Sequence, residues 1–513
     1  MANVSILSGR NEKFSEMLGP DILLLVFENL SECSSEFLQS LRLVSRSFNC
    51  FATPVRYRSI TLSHKLLDPN TDGVNAAWEK VHNHTQHVNI KTTFDWDIVV
   101  HLLSGCSRLK SMTWSVLYDN SSDGFPRTLS QAIHDYWPHV RLNVARIDCP
   151  LNHRAAYPGE YFPALNIIDI LVDNMNIPSI TEPVQALLVA SKNLESLRIG
   201  MLRHPFVPHV GKLPAVRKLV LAPLIWDYSP EESLLVWDFS RLEAFHVQLE
   251  TLHSLAPLAE AYGLTRLTRL NVNFQWANLS HGEDSDAEYH EECTVVLRRI
   301  IERIPHQQLR ELEVTCCLSH LPITSIVRHG KSLRNLSLLD VSGFEADGID
   351  PVTTSMFDLQ ILHAACARLV SLALSVDFDG VVNGSCRSLD ILSGLRNLRN
   401  LTLYSKCLLG TPLSDTTDVI RSSAYEIMRY LCDRKQGLPL HSLGMITRGW
   451  SPFRGGASPW AEISENDRQD PVRYPQLLLQ FTWDSSGSFK YAVSDIPNGR
   501  ISRINERKII SDW

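Results

Sequence analysis

No stretch of this chain forms a G-x-x-x-x-G-K-[ST] loop, a G-x-S-x-G elbow or an H-E-x-x-H pair. Phosphate cradling, nucleophile-elbow hydrolysis and zinc-protease chemistry therefore have no local signature here. Long apolar runs are also lacking, and none approaches the length that spans a bilayer, so no membrane partner is expected. The start, MANVSILSGRNEKFSE, has no basic flank leading into a sustained apolar core and does not read as a secretory signal. C-x-x-C pairs are missing too. The eleven cysteines are odd in number and scattered, as expected of reduced thiols in the cytoplasm or nucleus. Excess positive charge is absent: the formal net charge of −7 does not point to nucleic acid.

What is present is an ordinary folded composition, 44% hydrophobic and 20% charged over 513 residues, enough for two or three domains or one repeat array. One stretch stands out near the start. Pro20 sits where a first helical turn tolerates it, and Asp21 where the positive helix end favours an acid. Leu23, Val26, Phe27 and Leu30 follow at i, i+3, i+4 and i+7. Ile22, Leu24 and Leu25 fill the other sides, so Ile22 to Phe27 is apolar nearly all round. Such a helix must be covered on more than one side, by the rest of the chain or by another protein.

These residues carry a resemblance. Leu18-Gly19-Pro20-Asp21-Ile22-Leu23, then Val26-Phe27 and Leu30, is similar to the first half of an F-box. Leu41-Arg42-Leu43-Val44-Ser45-Arg46-Ser47-Phe48 resembles its second half, and Ala52 to Ile60 the tail of many fungal F-box proteins. Gly19 replaces the usual first-turn proline, Asp21 the usual glutamate, and Arg56 a commoner aliphatic residue. The resemblance implies docking on a Skp-type adaptor, and through it a cullin, by Leu18, Pro20, Ile22, Leu23, Val26, Phe27, Leu30, Leu41, Val44 and Ser45. The competing reading of the same residues is a helical hairpin packed on its own domain.

From His87-Val88-Asn89-Ile90 onward one pattern returns: L-x-x-L-x-L and its variants. It begins at Leu109, Leu165, Leu194, Val216, Leu242 and Leu267, then at Leu309, Leu333, Leu369, Leu398 and Leu440. The common spacing is about 22 to 29 residues, the leucine-rich-repeat period. The long gap from Leu109 to Leu165 is expected to hide a degenerate unit at Val140 to Val144. In each unit the last two apolar residues alternate with polar ones, as in a strand buried on one face, with helical stretches between. The predicted fold is α/β. A helical F-box-like domain (16–62) follows an N-terminal tail (1–15) and precedes a linker (63–86). A curved, degenerate leucine-rich-repeat-like solenoid (87–449) comes next. A C-terminal cap (450–513) is expected to carry a β-hairpin, with Leu477–Trp483 and Ser488–Val493 as its strands.

Other constellations read as structure. His82, His84 and His87 are expected in a solvated loop, not around a metal, since no cysteine or carboxylate lies close in sequence. Asp119 to Gly124 imitates a calcium loop, but Ser130 occupies the position that needs a bidentate glutamate. The acid-rich stretch His281–Glu292 and the segment Ser342–Thr354 are expected as loops. Cys316-Cys317 is ascribed to packing, and the basic tail from Arg500 to Lys508 to a solvent-facing edge. No catalytic group, metal or cofactor is expected.

The strand alternation also selects a target-facing surface. It comprises Ser196, Arg198, Lys218, His246, Gln248, Arg269, Asn271 and Asn273, then Glu311, Glu313, Thr315, Asn335 and Ser337, then Asn400, Thr402 and Tyr404. Together with the F-box resemblance this implies a non-enzymatic substrate receptor of a cullin-RING ubiquitin ligase. The alternative is a repeat scaffold whose N-terminal helices only cap the array.

Overall fold

The computed structural model describes residues 19–33, 35–92, 94–115, 126–148, 166–173, 178–200, 206–221, 228–273, 286–340, 352–376, 386–405, 426–427, 429–447, 476–483 and 489–496. The chain forms two compact units, Met1–Val216 and Arg217–Trp513.

The first unit opens with three helices, α1 (Pro20–Cys33), α2 (Ser35–Arg42) and α3 (Arg46–Arg58). Ser45 caps α3, its hydroxyl accepting from the Phe48 amide at 3.1 Å. The backbone passes directly from α3 into β1 (Ser59–Thr61), which pairs in parallel with β2 (His87–Ile90). Residues 63–86 are therefore not a linker. They hold α4 (His64–Leu67) and α5 (Val74–His84), which bury Leu67, Val74 and Val81 and complete the first strand–helix–strand unit. The turn chemistry is there: Ser63 caps α4, and Gly73 supplies the left-handed backbone before α5. The sheet continues in parallel through β3 (Ser111–Trp114), β4 (Arg141–Asp148), β5 (Ile167–Asp173) and β6 (Ser196–Ile199). α6 (Trp96–Ser104), α7 (Arg127–Tyr136) and α8 (Pro178–Ala190) fall between them. The degenerate unit expected at Val140 is β4, with Val140, Leu142 and Val144 buried.

The second unit stacks eight parallel strands in sequence order. They are β7 (Lys218–Leu221), β8 (Ala244–Gln248), β9 (Arg269–Asn273), β10 (Glu311–Cys316), β11 (Asn335–Asp340), β12 (Ser371–Ser375), β13 (Asn400–Ser405) and β14 (Ser442–Thr447). Between them come α9 (Pro230–Val236), α10 (Leu249–Tyr262), α11 (Asp286–Arg303), α12 (Ile323–Val327), α13 (Met356–Ala365) and α14 (Arg387–Ser393). Each motif holds together for one reason. Its middle apolar residue sits in register with its neighbours, in the order Leu219, Phe245, Leu270, Leu312, Leu336, Leu372, Leu401, Leu443, and every one is at most 2% exposed. A second ladder runs Val247, Val272, Val314, Leu338, Leu374, Leu403. The first leucine of each motif closes the turn ahead of its strand, as Leu267, Leu309, Leu333 and Leu398 do with no exposure at all. Both units are thus α/β stacks of one strand per period, the leucine-rich-repeat arrangement.

A further expectation changes here. The acid-rich stretch is a loop only in part, because its described residues begin α11 at Asp286. His290, Cys293, Thr294, Leu297, Ile300 and Ile301 are all buried at helical spacing, so the periodicity carries the helix back beneath the acids. At the other end β14 pairs antiparallel with β15 (Gln476–Trp483), which pairs antiparallel with β16 (Phe489–Ile496). The intervening 484–488 lies outside the described residues, as do Asp119–Gly124, all but three residues of Ser342–Thr354, and the Arg500–Lys508 tail.

Candidate functional site

Helix α1 divides its apolar residues between two surroundings. Leu23 and Phe27 point inward and form a core with Leu38, Ala52 and Val55; Leu24, Leu41, Phe48 and Phe51 pack around it. The Phe27 and Phe48 rings meet edge to face, centroids 5.6 Å apart. Leu23 and Phe27 are 3% and 2% exposed, so they cannot be contact residues for an adaptor without opening their own unit. Leu30, Leu41 and Ser45 are half-buried, and the Ser45 hydroxyl is engaged by its cap. Pro20 is exposed, and Leu18 lies outside the described residues.

The outward residues are Ile22, Leu25 and Val26, exposed by 51%, 57% and 43%. The turn between α2 and α3 adds Leu43, 88% exposed, and Val44. Leu25 and Leu43 were not among the residues selected from sequence. Ile22, Leu25 and Val26 stand at i, i+3 and i+4, a second stripe that signals a second apolar face once Leu23 and Phe27 are taken by the first.

On the strands the outward positions form cross-strand rows. In the first unit Arg198 on β6 reaches Asp169 on β5 at 3.2 Å. In the second unit one row runs Ala244, Arg269, Glu311, Asn335, Ser371, Asn400, Ser442, and the next runs His246, Asn271, Glu313, Ser337, Ala373, Thr402, Gly444. Arg269 meets Glu311 at 3.6 Å, and Asn271 Nδ2 donates to Glu313 Oε2 at 2.8 Å. Ser442 Oγ donates to Asn400 Oδ1 at 2.9 Å. Lys218 lies near His246: burial first, and then this ammonium, lower the imidazole to about 4. Burial and then the Glu313 carboxylate raise the Tyr404 phenol. Gln248 and Thr315 depart from the rule and are buried; Gln248 is the last residue of β8 and Thr315 the penultimate residue of β10. The candidate charges are therefore largely paired with one another. The sequence reading took Arg198 and Arg269 as charges held out for a target, whereas each already has a carboxylate beside it.

The remaining constellations are structural where they are described. His82 and His84 end α5 and His87 begins β2, instead of sharing a solvated loop. His82 Nε2 bonds the Leu102 carbonyl at 2.9 Å, and His87 Nδ1 bonds Ser111 Oγ at 2.7 Å. Among the described residues no three His, Cys, Asp or Glu side chains are grouped to hold a metal ion. Cys316 is fully buried, which raises its thiol pKa, and its neighbour Cys317 is half-buried. Among the described residues no helix is long and apolar enough to cross a membrane.

No protein-family model matches this chain, and no curated protein matches it. Among solved structures it is similar to the leucine-rich repeat-containing protein LegL7 from Legionella pneumophila. The likeness is 13% identical, covers 73% of this chain and 97% of that one, and has a TM-score of 0.30. At that score the likeness adds nothing to the architecture read from the strands themselves.

Proposed function

We propose that this chain is the substrate-recognition subunit of an SCF-type cullin-RING ubiquitin ligase, not itself an enzyme, acting in the cytoplasm or nucleus. In this reading α1–α3 dock a Skp-type adaptor, which brings the cullin, and the repeat units present a target protein. The β15–β16 pair then serves as the cap that keeps the last parallel strand from lying open as an edge. The observation that carries the proposal is the second apolar stripe of α1. Three large aliphatic side chains on one helix, with Leu43 and Val44 in the turn between α2 and α3, are exposed among the described residues. Exposed apolar groups of this kind mark a protein contact. The F-box resemblance of Leu18–Leu30 and Leu41–Phe48 supplies the identity of the partner. Eight cysteines among the described residues are free thiols, in keeping with a reducing compartment.

The test uses the full chain co-purified with a Skp adaptor. Wild type should elute as a stable complex. Ile22→Asp together with Leu25→Asp should abolish it while leaving the thermal melt unchanged, because each aliphatic group buried at an interface contributes roughly 1.5–3 kcal/mol. Absence of a wild-type complex, or full binding by the double variant, would sink the ligase reading.

A scaffold without ligase function has its own support. α3 runs without a break into β1, and Thr85 Oγ1 donates to the Tyr57 carbonyl at 3.0 Å, as terminal helices capping a repeat array would be tied. A pure cap, however, has no need of an uncovered apolar stripe.

A further inference from the structure

The rows of side chains just ahead of the strands behave differently along the second unit. At its beginning the cation is matched: Arg217 faces Glu243 at 3.9 Å. From β10 onward the same row reads Arg310, Arg334, Val370, Arg399, His441, with no acid in it. The row is fixed by backbone bonds from each residue to the carbonyl of the one before, 2.7 Å for Arg334 to Arg310 and for Val370 to Arg334, and 2.8 Å for Arg399 to Val370. Between these turns lies an open cavity of about 310 Å³, lined by Arg334, Arg368, Val370, Asn397, Arg399 and Leu438. All three arginines are exposed, and none of their guanidinium groups pairs with a carboxylate among the described residues. Among the described residues no acid lines the cavity.

Three exposed arginines line one hollow with no carboxylate beside them among the described residues, so an anion seated there meets cationic partners on more than one side. Arg334 and Arg399 start strands two apart, so their Cα atoms stand roughly 10 Å from one another. That span suits two anionic groups on an extended segment, or one doubly charged group held from both sides. The floor adds a second chemistry. Val370 is half-buried, and Leu438 keeps 39% of its surface exposed at the wall. Asn397 Nδ2 is engaged by the Ala367 carbonyl at 2.7 Å, which holds that side of the rim in place. Gly437 bends the backbone beside Leu438 with a φ of +82°, packed against Arg396, and so fixes where that leucine stands.

We infer that this hollow binds a phosphorylated or acidic peptide segment that carries an apolar residue beside its anionic groups. Arg334, Arg368 and Arg399 hold the anions by forked hydrogen bonds, and Val370 and Leu438 take the apolar side chain. The hollow is open to solvent, which suits a segment that passes across it. The inference rests on the target-receptor reading only in saying what such a peptide would belong to. Binding at this site does not require the adaptor.

The probe is a fluorescein-labelled peptide with two phosphoserines separated by one residue and an adjacent leucine, followed by anisotropy on the full chain. Saturable binding is expected, weaker when both phosphoserines are glutamate and lost when both are serine. Arg334→Ala and Arg399→Ala should each weaken it by about tenfold or more. Arg334→Lys, which keeps the charge and loses the fork, should fall between. Leu438→Ser should weaken only the leucine-bearing peptide. Inorganic phosphate should compete, but only at much higher concentration than unlabelled peptide. The inference is overturned by absence of saturable binding, by undiminished binding to the Arg334→Ala/Arg368→Ala/Arg399→Ala variant, or by tighter binding of a single-stranded oligonucleotide of matched charge. These arginines are exposed, so an unchanged melt is expected and shows that any loss is local. Adaptor capture is measured separately, so failure of the peptide site and failure of the ligase reading give different results.

Discussion

Arg58 Nη2 meets Glu28 Oε1 at 2.5 Å, joining the last residue of α3 to the middle of α1 across thirty residues of sequence. One residue later the chain becomes β1, and the Arg58 carbonyl accepts the Gln86 amide at 2.8 Å just ahead of β2. The three N-terminal helices are therefore built into the start of the first sheet, and α1 is held against it by a partly exposed ion pair worth about 1 kcal/mol or less. Its main anchor is apolar, and that leads to a sharper experiment.

Leu23→Ala and Phe27→Ala remove buried side chains from the α1–α3 core, so each should cost about 2–5 kcal/mol. Hydrogen exchange across α1–α3 would show early loss of protection there. Adaptor binding would then fail through unfolding, unlike the Ile22 and Leu25 variants, whose protection should match wild type. Wild-type protection in the Leu23 variant would contradict the core assigned here.

Arg198→Glu should not behave as a neutral surface change. It places a carboxylate beside Asp169 in a half-buried position, and the Arg198 Nε and Asp169 Oδ1 atoms are already buried without further partners. A loss of about 1–3 kcal/mol is expected in urea unfolding. Adding Asp169→Asn should recover part of it, and a double-mutant cycle reads the coupling. A reversal costing under about 0.5 kcal/mol would place the pair in solvent.

His246 and His329 both titrate near 4 in the folded protein, each through burial, with Lys218 adding to the first and Arg328 to the second. A folded pKa below the unfolded value of 6.5 means that the unfolded chain takes up the extra proton. Their contribution to stability is thus present above about pH 6.5 and is lost as the pH falls toward 4. Urea midpoints should drop less between pH ~7 and ~5 in His246→Gln and His329→Gln than in wild type. Parallel pH profiles would argue that the two rings are hydrated.

Gly437→Ala should destabilise by about 1–3 kcal/mol, because φ is +82° there and a Cβ would lie 2.5 Å from the Arg396 carbonyl oxygen. The same variant should weaken peptide capture, since Leu438 is its neighbour. Differential scanning calorimetry would read the first effect. An unchanged melt would mean that the turn relaxes freely.

β1, only three residues long, was read as part of the tail of the helical F-box-like domain. From β2 onward the strand positions were legible in the sequence, including the degenerate one at Val140, because alternation of buried and half-buried residues is a local signal with a period of two. So was the all-round apolar character of α1. Which of its stripes faces inward was not, since that depends on Leu38, Ala52 and Val55 arriving from two other helices. The acid-rich loop became part of α11 for a similar reason: burial of His290 and Cys293 outweighed the charge of their neighbours. Charge pairing was the least legible of all. Arg198 finds Asp169, and Arg269 finds Glu311, only through strand register, and Arg334, Arg368 and Arg399 converge only because each period returns the chain to the same edge. Hydrophobic period is written along the chain. Electrostatic partnership is set between chain segments, so tertiary structure alone decides which charges are satisfied and which are left for a partner.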